Sequence, residues 1–232
     1  MDNPSSIIAL IPAYNPTKSM LSVLRQLKES GCTVVLVNDG SDAAYLHLFR
    51  AAGMADVQLT HSCNRGKGAA LKTGLHWIME HCHAPYTVVT VDADGQHLPE
   101  DSSKVAAEAQ KHPDALVIGS RKLGKGTPFR SRSGNFFTRT ILHALTPVKV
   151  YDTQSGLRAF SDRLVPVLAQ ISGERYEYEM RVLIDLTERH ISIKEISIQA
   201  VYLGENGVSH FKTVSDAKLV YREIFSSVKK KR

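Results

Sequence analysis

The stretch Thr87-Val88-Val89-Thr90-Val91-Asp92-Ala93-Asp94-Gly95-Gln96-His97 decides how this chain is read. Its apolar, β-branched run is the pattern of a buried strand. The run stops at two carboxylates one residue apart, followed by a glycine. Hard divalent cations take oxygen ligands, and Mg²⁺ is commonly held by one or two carboxylates together with phosphate oxygens of a substrate. Asp-Gly is equally ordinary turn chemistry, so the tripeptide alone leaves a plain acidic turn open.

Outward from that stretch the same pattern recurs. Ser6-Ile7-Ile8-Ala9-Leu10-Ile11 reads as a first strand cut by Pro12, Thr33–Asn38 as a second, Val57–His61 as a third, and Ala115–Gly119 as the strand after the acidic one. Helices are predicted between them. One runs from Pro16 to about Glu29, with Leu21, Leu24 and Leu27 on one face and Gly31 as its stop. Others run from about Ala43 to Ala52, from the turn Asn64-Arg65-Gly66-Lys67-Gly68 to about His81, and onward from Pro99. Continuous apolar strands alternating with helices predict a mainly parallel sheet with helices on both faces. Ligands of such sheets sit at the carboxyl ends of the strands. Asp39, the Arg65–Gly68 turn and Asp92/Asp94 all fall there.

The 232 residues suffice for one large domain or two small ones. The net charge of +6 suits a phosphorylated ligand, an anionic membrane surface or nucleic acid without choosing among them. Cys32, Cys63 and Cys82 are scattered without CxxC spacing, so neither a disulfide framework nor a zinc site is expected, and a reducing cytosol is the default. Ile7 to Ile11 is too short for a signal peptide. No apolar run approaches the ~20 residues of a membrane span.

After Ser120 the character changes. Arg121, Lys122, Lys125, Arg130, Arg132 and Arg139 crowd one segment, and guanidinium groups match phosphate oxygens in a bidentate way. A helix from about Ser133 to Leu145, the run Asp152-Thr153-Gln154-Ser155-Gly156-Leu157-Arg158-Ala159-Phe160, a helix around Tyr178 to Arg189 and a strand around Ile193 to Ile198 follow. The last helix, about Val214 to Val228, lines Ala217, Val220, Tyr221, Ile224 and Val228 along one face beside Lys218 and Arg222, then ends in Lys229-Lys230-Lys231-Arg232. Such a basic amphipathic helix can rest on anionic lipid; a solvated, frayed end is the plain alternative.

The remaining candidates each have two readings. Asp39, in the turn Asn38-Asp39-Gly40-Ser41, can accept hydrogen bonds from a base or ribose, or belong to a helix cap that Ser41 or Asp42 could supply instead. Arg65–Gly68 can bring backbone N–H groups and a lysine to a phosphate, although it is not a Walker A sequence. His61 and Cys63 read as structural.

Six motifs stand in order: Pro12-Ala13-Tyr14-Asn15, Asn38-Asp39-Gly40-Ser41, Arg65-Gly66-Lys67-Gly68, Asp92-Ala93-Asp94-Gly95-Gln96-His97, Gly119-Ser120-Arg121 and Asp152-Thr153-Gln154-Ser155-Gly156. Together, from about Ile7 to Lys218, they resemble the family 2 glycosyltransferases of the GT-A fold. The branch they most resemble comprises the dolichol-phosphate mannose synthases and bacterial polyprenyl-phosphate glycosyltransferases. The resemblance implies an α/β, Rossmann-like GT-A domain spanning residues 1–232, with a nucleotide-sugar half (1–120) and an acceptor half (121–232). It implies that Pro12, Ala13, Tyr14, Asn15 and Asp39 line the nucleotide pocket and that Lys67 lies near the base or phosphates. Asp92, Ala93, Asp94 and Gln96 then meet the donor, with Asp92, Asp94 and Gln96 at Mg²⁺ or Mn²⁺. Arg121, Arg130, Arg132 and Ser155 match positions that hold an acceptor phosphate, and Tyr178-Glu179 a helix near the catalytic centre. Some residues depart from the pattern. Asn15-Pro16 replaces Asn-Glu, and Asn38 replaces the first Asp of Asp-Asp-Gly-Ser. The run Tyr202-Leu203-Gly204-Glu205-Asn206-Gly207-Val208-Ser209-His210-Phe211 resembles the bacterial branch and leaves His210 or Lys212 to meet the diphosphate.

The implied activity is hexosyl transfer with inversion from a UDP- or GDP-linked sugar to a polyprenyl phosphate. The enzyme would be peripheral on the cytoplasmic face of a membrane, beside an integral-membrane partner, and would not bind nucleic acid. A phosphate acceptor needs positioning rather than a base. A hydroxyl acceptor in glycan or cell-envelope polysaccharide synthesis needs a carboxylate, for which Asp152 is the candidate. On that reading Asp152→Asn costs little with a lipid phosphate. A sugar nucleotidyltransferase would carry a Gly-x-Gly-Thr-Arg type loop in place of Pro12–Asn15, and a non-catalytic basic scaffold would not pair carboxylates at its phosphate site.

Overall fold

Apolar strands buried on both faces need helices above and below, and a computed structural model of the chain has that arrangement. It describes residues 6–121, 135, 138–140, 142–143, 146 and 149–199. The strands are β1 (Ser6–Ala13), β2 (Thr33–Asn38), β3 (Val57–Thr60), β4 (Tyr86–Thr90), β5 (Ala115–Arg121), β6 (Arg158–Ser161) and β7 (Ser192–Ile198). The helices are α1 (Ser19–Glu29), α2 (Leu46–Ala51), α3 (Lys67–His81), α4 (Pro99–Lys111), α5 (Val165–Gln170) and α6 (Glu177–Glu188). A short 3₁₀ turn at Ala43–Tyr45 precedes α2.

All the strands join one sheet in the order β3-β2-β1-β4-β6-β5-β7. Pairing is parallel from β3 through β4 and again between β5 and β7, while β6 runs antiparallel to both neighbours. The expectation of a mainly parallel sheet with helices on both faces holds. The alternation of strand and helix did not reveal that β6, from the second half of the chain, inserts between β4 and β5. Its direction has a consequence for the site. Register pairs Arg158 at the start of β6 with Thr90 at the end of β4 and with Ile118 near the end of β5. Two carboxyl ends and the loop entering β6 therefore converge.

Period-two alternation divides each strand between two apolar layers. Ile8, Leu10, Val35, Val37, Val88, Leu116 and Ile118 pack against Leu71, Leu75 and Ile78 of α3 and against α5 and α6. Ala9, Ile11, Val34, Leu36, Val89 and Val117 face Met20, Val23 and Leu24 of α1, with α2 and α4. Boundaries moved slightly. β1 continues through Pro12, whose missing N–H is tolerated near a strand end. The helix expected from Pro16 begins at Ser19, while Pro99 does open α4, at its first position. The helix of 165–170 was not anticipated. The end of the Ser133–Leu145 helix, the segment 122–134 and everything after residue 199 lie outside the described residues, including the amphipathic C-terminal helix. Among the described residues no helix is long and apolar enough to cross a membrane.

Candidate active site

The end of β4 delivers Asp92 into a charged cluster. Lys67, the first residue of α3, reaches Asp92 Oδ1 at 2.7 Å and Glu179 Oε1 of α6 at 3.0 Å. His97 Nε2 lies 3.6 Å from Asp92 Oδ2. The His97 ring is buried, and its Nδ1 has no hydrogen-bond partner among the described residues. Asp94 is half-buried beside them, its Oδ1 accepting the Gln96 N–H at 2.9 Å. Burial works against every charge here, and the neighbours decide the outcome. It would raise Asp92, but the Lys67 ammonium, and then His97, hold that carboxyl well below the usual range. It would lower Lys67, but Asp92 and Glu179 hold its ammonium well above its usual range. For Asp94 the compensation is incomplete: burial and then the charge of Asp92 push its carboxyl up, and the Gln96 N–H, His97 and Lys67 offset only part of that. Three carboxylates face one ammonium, so the cluster is short of positive charge.

The sequence explains why Lys67 and Glu179 meet. Gly66 and Gly68 let the start of α3 press against the loop entering α6. A side chain at Gly68 would lie 2.5 Å from Tyr178 Cβ and 3.0 Å from the Arg175 carbonyl, and one at Gly66 would lie 2.5 Å from the Glu174 carbonyl. Ala69 N–H donates to the Glu174 carbonyl at 2.8 Å, and Arg175 reaches Asn64 Oδ1 at 3.0 Å. Arg158, buried, donates to the carbonyls of Ser155, Glu179 and Thr153 at 3.0, 2.9 and 3.4 Å, tying α6 to the loop before β6.

That loop, 152–156, joins the acidic cluster to the arginine at the end of β5. At one end Gly156 lies so close to the Asp92 carboxylate that a Cβ there would sit 2.7 Å from Oδ1 and nearer still to Oδ2. At the other end Asp152, fully buried, accepts Arg121 Nε at 2.7 Å, its second guanidinium nitrogen at 3.0 Å and its backbone N–H at 3.1 Å. Glu195 of β7 receives the backbone N–H groups of Tyr151 and Asp152 at 2.8 and 3.0 Å. The Ser155 hydroxyl donates to the Gly119 carbonyl at 2.5 Å.

Several sequence-derived assignments take a different form here. Asp39 is buried, with Oδ1 accepting His61 Nδ1 at 2.7 Å and Arg65 N–H at 2.9 Å and Oδ2 accepting Gly66 N–H at 2.7 Å. Those two backbone donors are therefore turned onto Asp39 rather than left open to a phosphate, and Asp39 anchors the glycine turn. His61 is structural, as expected, bridging Asp39 to Thr73 at 2.9 Å. Ser155 is fully buried with its hydroxyl turned into the protein. Asp152 has both oxygens on Arg121, an arrangement that serves positioning and leaves no oxygen unpaired for a base. Pro12 and Ala13 end β1, and Asn15 locks onto the next turn: its N–H donates to Ser41 Oγ at 2.9 Å and its amide to Asp42 at 2.7 Å. Tyr14 lies between them. Ala93 packs on the second apolar layer. Arg130, Arg132, His210 and Lys212 lie outside the described residues. Glu179, His97 and Arg158 stand within stretches quoted above; the Lys67–Glu179 and Arg158–Glu179 contacts carry no local signal because the partners are distant in sequence, whereas His97 lies only five residues from Asp92.

Among the described residues no three His, Cys, Asp or Glu side chains converge into a metal cage. The donors present are carboxylate oxygens at a strand end in a charge-deficient cluster. That fits a hard divalent cation whose shell is completed by substrate phosphates.

The profile of glycosyl transferase family 2 matches residues 8–166. The chain is a family 2 glycosyltransferase. Among its relatives, an uncharacterized protein of Methanocaldococcus jannaschii is 32% identical, covering 96% of this chain and 94% of that one. The UDP-N-acetylglucosamine–dolichyl-phosphate N-acetylglucosaminyltransferase of Methanococcus voltae is 30% identical, covering 93% and 94%. The polyprenol monophosphomannose synthase of Mycolicibacterium smegmatis is 28% identical, covering 80% and 72%. Glucosyl-3-phosphoglycerate synthase from Mycobacterium tuberculosis, in complex with UDP, superposes with a TM-score of 0.72 at 18% identity, covering 96% of this chain and 78% of that one. This family 2 enzyme thus shares the GT-A fold with solved transferases.

Proposed function

We propose that this enzyme transfers a sugar, with inversion, from a nucleotide diphosphate sugar to a polyprenyl phosphate at a membrane surface. The observation that carries the proposal is the loop 152–156, which abuts Asp92 at one end and grips Arg121 at the other. A donor diphosphate at the acidic cluster and an acceptor phosphate at the arginine would then be neighbours. The relatives named for dolichyl and polyprenol phosphates support the acceptor class. Asp94 and Asp92, with Gln96, would hold Mg²⁺ or Mn²⁺, which when bound supplies charge to the leaving diphosphate.

The chain's own residues do the positioning. Pro12, Ala13, Tyr14 and Asn15 form the wall of the nucleotide pocket, and Asp39 holds the turn that carries Lys67. Arg121 orients the acceptor phosphate, with Arg130 and Arg132 assigned to the same task. A phosphate acceptor is already an anion, so no base is required, and orientation alone can contribute several kcal/mol. Incubating the protein with radiolabelled UDP- and GDP-sugars, Mn²⁺ and a polyprenyl phosphate, then extracting with organic solvent, tests the proposal. Label in the organic phase is the expected result. Label confined to an aqueous glycan would overturn it in favour of a hydroxyl acceptor.

Asp152 and Glu195 act through Arg121. The sequence alone predicts little loss with a lipid phosphate; because Asp152 grips Arg121 through both oxygens, Asp152→Asn is instead expected to raise the KM for the lipid phosphate and lower kcat/KM by roughly ten- to a hundredfold, with donor KM unchanged. Glu195→Gln should shift the same parameter by less. A flat response to Asp152→Asn, together with a full effect of Arg121→Ala, would remove Asp152 from this role.

A further inference from the structure

Building on the donor site proposed above, we infer that Lys67 is a resident counter-cation for Asp92, and that Glu179 is the positioning residue that receives its ammonium when Asp92 binds a divalent ion. Lys67 bonds both carboxylates at once, at 2.7 and 3.0 Å, from a side chain only 17% exposed. An ammonium held that tightly occupies one of the two Asp92 oxygens, Oδ1. Like charge repels like, so an ion arriving at Asp92 and Asp94 must displace Lys67 or share the carboxylate with it. Glu179 makes displacement inexpensive. It already holds the ammonium, and its backbone is tied in place because its carbonyl accepts Arg158, Tyr178 packs on Gly68 and the loop entering its helix packs on Gly66. Without Glu179 the ammonium would turn wholly onto Asp92. Lys67 thus keeps a half-buried carboxylate compensated before the donor arrives, and stays beside the cluster to face the diphosphate afterwards.

The consequence is a pair of opposite changes that a merely structural role would not produce. The measurement is Mn²⁺ binding to the full chain without nucleotide, followed by the electron paramagnetic resonance signal of free Mn²⁺. Lys67→Met should bind Mn²⁺ alone roughly tenfold more tightly than the wild type, because an adjacent cation is gone, yet transfer sugar more slowly. Glu179→Gln should bind Mn²⁺ alone several-fold more weakly, because the ammonium now belongs to Asp92. Removing Lys67 strands Glu179, so thermal melting accompanies each variant. The double variant Lys67→Met/Glu179→Gln leaves neither charge unpaired and should still bind more tightly than the wild type. A double variant equal to or weaker than the wild type would overturn the inference while leaving the metal site intact. Absence of Mn²⁺ binding by the wild type, with and without UDP, would overturn the donor-site reading itself, and the inference with it.

Discussion

Asp94→Asn is expected to lower sugar transfer by roughly a thousandfold, while leaving the unliganded protein as stable as the wild type at neutral pH or more so. The two effects have one origin. Asp94 is pushed above its ordinary range by burial and by the charge of Asp92, with Lys67 and His97 relieving it only in part. A carboxyl raised in the folded state and ordinary in the unfolded one is a stability cost whenever it is ionised. That cost is full above the folded value and disappears as pH falls through it. Asp92, held low, has the opposite sign: its stabilisation is full at neutral pH and is lost only as pH falls through and below the ordinary carboxylate range. Mild acid should therefore raise the melting temperature of the wild type relative to Asp94→Asn, and the two curves should converge as Asp94 protonates. Asparagine keeps an oxygen for the Gln96 N–H, so the comparison isolates the charge. Initial rates with saturating Mn²⁺ and thermal melts between neutral and mildly acidic pH measure both halves. An active, equally stable Asp94→Asn enzyme would refute the assignment of Asp94 to the donor cation.

How far the sequence led can be argued from these residues. Local patterns carried β1, β2, β4 and β5, because each is an apolar run whose two faces are covered. The acidic turn was legible because it interrupts one of those runs. The insertion of β6 was not. Arg158–Ser161 is short, contains a buried arginine, and takes its place through pairing with strands far away in the chain. The meaning of the glycine turn was equally hidden. Arg65-Gly66-Lys67-Gly68 has the composition of a phosphate loop, but the N–H groups of Arg65 and Gly66 turn to Asp39, and its glycines serve the approach of Glu174, Arg175 and Tyr178. Asp152 looked like a base because a lone carboxylate in a polar run carries no sign of its partner. Only the fold sets Arg121 against it. Ordered motifs from one family therefore fixed the architecture, and the division of labour inside the cluster depended on contacts across the chain.

Gly156→Ala is expected to lower kcat by roughly a hundredfold or more, although the substitution adds only one methyl group and removes no polar side chain. The new Cβ would overlap the Asp92 carboxylate, 2.7 Å from Oδ1 and nearer still to Oδ2. The backbone cannot retreat easily, since the Gly156 carbonyl accepts the buried Thr90 hydroxyl at 2.7 Å and β6 begins two residues later. Asp92 must move instead, and moving it breaks the 2.7 Å contact with Lys67 on which the cluster's charge balance rests. Gly53 supplies the control: a Cβ there meets only the Arg50 carbonyl at 4.0 Å, so Gly53→Ala should leave both kcat and melting temperature near the wild-type values. Rates and melts of the two variants, measured side by side, separate displacement of Asp92 from the general effect of losing a glycine. If Gly156→Ala retained wild-type kcat, the carboxylate would have freedom that the packing denies it, and Asp92 would not be the fixed point about which donor and acceptor halves are arranged.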